Sequence, residues 1–215
     1  MKTARKDMAE MATARADVYG LLAEVFRAEP SESFLSCLQG PEFSQALTAL
    51  GSSPEAIFGD LADRQLAEEL ALDFTRLFVG PGPRLSPHES LHVETPCGGN
   101  DFWGVETVEV KKFMEGAGLT LDDSFTGMPD HISAELEFMQ RLAIQEAAYW
   151  TDGDKESARG AMAVQRRFLD EHLSRWLPRF CDKVAARAEQ PFFREMAKLT
   201  KAFVGFERDT LCAAG

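Results

Sequence analysis

Residues 129–143 read Pro-Asp-His-Ile-Ser-Ala-Glu-Leu-Glu-Phe-Met-Gln-Arg-Leu-Ala, and the phase of their apolar side chains decides the fold class. At roughly 100° per residue, Ile132, Leu136, Phe138, Met139, Leu142 and Ala143 fall in one broad sector of a helix. Asp130 follows Pro129 and suits the N-cap, where a carboxylate accepts orphan backbone N–H groups. His131 and Glu135 share the apolar sector, one turn apart. Polar groups rarely sit there without a partner, and side chains four residues apart are helix neighbours. The spacing therefore predicts a His131–Glu135 pair, which either fixes core packing or lines a groove.

Outward from this segment the helical period persists. Val18, Leu21, Leu22 and Val25 form one stripe, and Ala67, Leu70, Ala71, Phe74, Leu77 and Phe78 a second. Shorter or later stripes run through Val110, Phe113, Met114 and Ala117, through Ala158, Ala161, Met162, Gln165, Phe168 and Leu169, and through Phe192, Met196, Leu199, Phe203 and Phe206. Strand alternation of useful length and internal repeats are lacking. The fold class is all-α, an irregular helical bundle.

Residues 80–101, GPGPRLSPHESLHVETPCGGND, interrupt the pattern with dense Pro and Gly. A long loop inside a compact domain is uncommon and often functional, and this one is expected to be mobile without a partner. A soft boundary divides an N-terminal helical half, 1–125, including that loop, from a C-terminal half, 126–215. One core continuous across both is expected.

The chain has 215 residues, 45% of them hydrophobic, which suits a folded domain with a real core. No apolar run approaches the roughly 18 residues of a membrane span. The charged, alternating N-terminus has no apolar h-region, so a cytoplasmic location is expected. Cys37, Cys97, Cys181 and Cys212 form no C-x-x-C pair and read as reduced thiols. Thirty-five acidic against 23 basic residues give a formal charge of −12. That opposes nucleic-acid binding and is compatible with a basic peptide partner.

The histidines are His88, His92, His131 and His172. Glu89-Ser90-Leu91-His92 is a Glu-x-x-His unit of the kind used twice in di-iron bundles. Here it occurs once and in a loop. No metal ligand set is therefore assigned, although a metal-dependent enzyme using His88, His92, His131 and Glu135 is the alternative reading. His172 reads as a core residue. No nucleophile elbow, phosphate loop or H-E-x-x-H motif is present, so no catalytic residue and no cofactor are assigned.

Three blocks, in order, resemble the TorD/DmsD/NarJ family of molybdoenzyme maturation chaperones. The first is Asp73-Phe74-Thr75-Arg76-Leu77-Phe78-Val79-Gly80-Pro81-Gly82, followed by Pro87-His88-Glu89-Ser90. The second is Pro129-Asp130-His131-Ile132 with Glu135-Leu136-Glu137-Phe138-Met139. The third is Phe168-Leu169-Asp170-Glu171-His172-Leu173, then Trp176-Leu177-Pro178 and Phe180. Many members carry Glu-Pro ahead of the Asp-His pair, where this chain has Gly127-Met128-Pro129.

The resemblance implies a TorD-like helical fold, as monomer or homodimer. It implies no enzyme but a chaperone that binds a molybdoenzyme precursor and its twin-arginine signal peptide, delaying export until the cofactor is inserted. It places client binding at Leu77, Phe78, Pro87, His88, Ser90, Asp130 and His131. Glu89 and Glu135 join these from the residue reading, with Glu89, Glu94 and Asp130 as candidate partners for the signal peptide's arginines.

Overall fold

The computed structural model describes residues 2–41, 43, 57–58, 63–93, 104–118 and 127–213. Its helices are α1 (Lys2–Arg27), α2 (Glu32–Leu38), α3 (Asp63–Phe74), α4 (Val105–Gly116), α5 (Ile132–Asp152), α6 (Lys155–Phe168), α7 (Ser174–Arg187) and α8 (Pro191–Ala213). Among the described residues there is no β-strand, only one isolated antiparallel bridge between His88 and His131. The all-α expectation therefore holds. No helix among them is long and apolar enough to cross a membrane.

α5 is the central element, and its apolar sector is the one read from the sequence. Ile132, Leu136, Phe138, Met139, Leu142 and Ala143 are all buried. α1 lies along it, pressing Tyr19, Leu22, Val25 and Phe26 into the same core. Gly153, at φ 83°, ends α5 in the left-handed conformation that suits glycine. Asp154 then starts α6 by accepting the Ser157 N–H at 3.0 Å.

Two helices widen into π turns. α3 runs into one at Thr75–Val79, and Leu169–Leu173 forms another between α6 and α7. A π turn inserts an extra residue and re-aims the side chains after it. The second one places Phe168, Leu169, His172, Leu173, Trp176, Leu177 and Phe180 all inside. The first buries Leu77 and Phe78. Phe78 meets Phe26, Phe74, Phe180 and Phe193 at ring-centroid distances of 5.0–6.2 Å, so aromatic packing joins side chains from both ends of the chain.

The α8 stripe departs from expectation. Phe192 and Met196 are buried, but Phe206 is 62% exposed and Leu199 and Phe203 are only half-buried. The buried face instead follows Phe193, Ala197, Thr200, Val204, Glu207 and Leu211. The polar members explain the misreading: Thr200 bonds back to the Met196 carbonyl, and Glu207 is held by Arg15 of α1.

Candidate functional site

The stretch after the first π turn is not a structureless loop over its described part, 80–93. Gly80 N–H closes the turn on the Thr75 carbonyl, and Leu85 N–H donates to the Leu77 carbonyl. Residues 87–89 then pair with 130–132: Glu89 N–H donates to Asp130 O and Ile132 N–H to Pro87 O, both at 2.9 Å. Glu89–Leu91 form a 3-10 turn. These bonds occupy backbone groups that a structureless loop would leave to water. Residues 94–101, including Glu94, lie outside the described residues.

Under this segment sits a layer of buried acids. Glu89, Asp130 and Glu135 are each fully buried. Glu89 accepts from His172 Nδ1 at 3.0 Å, and Arg175 of α7 lies 3.8 Å away. Asp130 does not cap α5. Its Oδ2 accepts the Ser90 N–H at 3.1 Å and so anchors the 3-10 turn. The N-cap of α5 is His131, whose Nδ1 accepts the Ser133 N–H at 3.2 Å.

His131 and Glu135 are therefore not side-chain partners. The extended backbone of the cap residue turns the imidazole toward Ser133, while Glu135 points inward, where Trp176 Nε1–H donates to its Oε2 at 3.2 Å. Burial, then the Glu89 charge, raises the Glu135 pKa well above the ordinary carboxylate value. Both causes favour the protonated form of Glu135. Among the described residues its Oε1 accepts from no donor, and a proton there, donated toward Glu89, would account for that atom.

Above the acids is an edge of half-buried imidazoles. The His88 and His131 rings meet edge-on at 5.0 Å, and His92 stacks on Trp176 at 5.3 Å. His92 Nε2 lies 2.7 Å from the Ser86 carbonyl, so it carries the proton. His131 accepts at Nδ1, so its neutral ring carries the proton on Nε2. Burial, then the neighbouring His88, then Arg27, pushes the His131 pKa down to about 3. Burial also lowers His88 and His92. At neutral pH the edge is uncharged.

The predicted site residues thus divide into two groups. Pro87, His88, Glu89, Ser90, Asp130, His131 and Glu135 come together, as histidine edge, connecting backbone and acid layer. Leu77 and Phe78 are in the aromatic core, 2% and 8% exposed, rather than on an open groove. Glu89 and Asp130 are enclosed, not displayed. The metal alternative meets a geometric obstacle: among the described residues, no three His, Cys, Asp or Glu side chains are placed to share an ion. His172 is buried as expected, but its pairing with Glu89 and the role of Trp176 behind His92 were not legible. No local pattern links positions 83 residues apart.

With this geometry in view, the family described as nitrate reductase delta subunit matches residues 41–182. This chain belongs to that family. The chaperone protein TorD of Shewanella loihica is 27% identical over 213 residues, covering 93% of this chain and 94% of the relative. TorD of Photobacterium profundum is 28% identical over 200 residues, 88% and 90% of the two chains. The perchlorate reductase assembly chaperone protein of Dechloromonas aromatica is 30% identical over 205 residues, 89% and 87%. These family relatives carry the names of chaperones, not of enzymes. All three blocks of the site lie within or at the edge of the family match, which ends at Asp182.

Proposed function

We propose that this chain is a cytoplasmic maturation chaperone that binds the precursor of a molybdenum-cofactor oxidoreductase and its twin-arginine signal peptide. The observation that carries the reading is the near end-to-end similarity to chaperones, one of them named for assembly of perchlorate reductase. The site adds the chemistry. His88 and His131 form a neutral edge, with Pro87 and Ser90 in the backbone that supports it. His131 presents an Nε2–H donor to a client carbonyl or carboxylate. Glu89, Asp130 and Glu135 act from beneath by holding the edge, so the client's guanidiniums are met by carboxylates at the surface of this acidic chain. Leu77 and Phe78 contribute through the core against which residue 85 is pinned. The working unit is a monomer or homodimer without cofactor.

The test is capture followed by a defined binding assay. The tagged chain should retain a molybdoenzyme subunit identified by mass spectrometry. A synthetic peptide of that subunit's signal should bind with micromolar affinity, about −8 kcal/mol. Replacing its two arginines by lysines should weaken it, because a guanidinium fork pairs bidentately with a carboxylate and an ammonium group, a single point charge, cannot. Retention of no molybdoenzyme, together with no peptide binding, would refute the reading.

A further inference from the structure

α4 is a helix with little reason to be one on its own. Val105, Thr107, Val108 and Val110 are β-branched, and such side chains lose rotamer freedom in a helix. The helix has 12 residues, at the lower edge of the ~12–15 at which isolated helices become even marginal. Its N-cap, Gly104, makes no side-chain cap bond, and Gly118 follows its end at φ 74°. Packing must hold it.

That packing centres on one ring. Phe113 lies among Phe138 of α5 at 6.1 Å, Phe168 of α6 at 5.2 Å and His172 of the π turn at 5.5 Å. The Arg167 guanidinium covers it at 4.9 Å. Val110 and Met114 are buried alongside. The seat is imperfect: among the described residues the buried Thr107 hydroxyl has no partner, and Val105 and Val108 are exposed.

We propose that α4 is a replaceable occupant of the apolar groove walled by Phe138, Phe168 and His172, and that an apolar helical segment of the client takes the same seat. The groove specifies its guest by what it already holds: a helix with an aromatic or branched anchor set into an aromatic wall, as in helix-in-groove recognition. A net charge of −12 favours a guest with basic flanks. His172 both touches Phe113 and holds Glu89, and α4 also packs directly against the 3-10 turn at Glu89–Leu91, so exchange of the occupant reaches the histidine edge. The identity of the guest as client rests on the chaperone reading; the exchangeability of α4 does not.

Hydrogen exchange on the full chain separates the two. In the free protein, α4 amides should exchange through a local opening while α5, α6 and α8 keep their protection. Phe113 is half-buried, so Phe113→Ala should raise that opening on the order of tenfold to a hundredfold, the scale of losing part of a buried ring, and leave those three helices unchanged. Phe113→Leu, which keeps apolar volume, should raise it less. The binding probe is a synthetic peptide with two arginines followed by an apolar helical stretch. It should deprotect 105–117 on binding and bind the Phe113→Ala chain more tightly, because less competitor remains in the seat. Protection lost uniformly across α5, α6 and α8 in Phe113→Ala would overturn the inference. So would peptide binding that leaves 105–117 protected, although the chaperone reading would then stand. A peptide that fails to bind the native chain while α4 opens locally overturns the chaperone reading and the client's claim on the seat.

Discussion

Replacing Glu135 by Gln should stabilise the protein, and increasingly so as pH rises. Glu135 is fully buried, its Oε2 accepts from Trp176, and in its protonated form it can donate to Glu89. Its folded pKa lies above the ordinary value of 4.5, so folding takes up a proton in the window between the two. The contribution is fully present below that ordinary value and is lost as pH rises toward the folded pKa. Uptake of one proton makes stability fall by about 1.4 kcal/mol per pH unit within the window. The Gln amide reproduces both contacts, its carbonyl accepting from Trp176 and its NH2 donating to Glu89, and it does not titrate. The stability difference, variant minus wild type, should therefore widen from pH 5 upward at about that slope, then level off. Urea unfolding followed by tryptophan fluorescence at pH 5, 6, 7 and 8 measures it. Parallel stability profiles for the two proteins would refute a protonated Glu135. Glu135→Ala is the contrast: it strands the Trp176 N–H and opens a cavity, and should cost roughly 2–4 kcal/mol at pH 5, a cost that shrinks as pH rises because Ala does not titrate either.

Three further outcomes are expected. His131→Asn keeps a capping side chain but removes a half-buried imidazole whose pKa is pushed down to about 3; wild-type stability should fall as pH drops from about 6.5 toward that value, and the variant's acid-side slope in thermal melts should be shallower. Arg15→Met should be severe, because Arg15 joins Glu207 and Glu146, both buried, and Gln165; leaving the carboxylates unpaired should cost about 3–5 kcal/mol, seen as a large fall in melting temperature at pH 7 that partly recovers in acid. Asp73→Ala removes the acceptor for Glu189 and Gln190 N–H at the start of α8 and should cost about 1–2 kcal/mol in denaturant unfolding.

The apolar period of α5 determined the all-α class, because a helix that must bury one face repeats that face at short range in the chain. The Asp-His block and the Pro-His-Glu-Ser block were likewise legible as site candidates, since polar residues in an apolar sector or beside prolines stand out locally. The same local logic misplaced side chains by a residue or a turn. Asp130 and His131 are adjacent and both suit a cap, and only the pairing of 87–89 with 130–132 gives the cap to His131 and the 3-10 turn to Asp130. Glu135 was assigned His131 because four-residue spacing is all a sequence offers, whereas its donor is Trp176, 41 residues away. Glu89 looked like a loop carboxylate until the π turn at 169–173 turned His172 inward to meet it. A helical period is set by neighbours a turn apart, so the chain carries it openly. The protonation and pairing of buried groups depend on which distant segments close over them, and that only the tertiary structure decides.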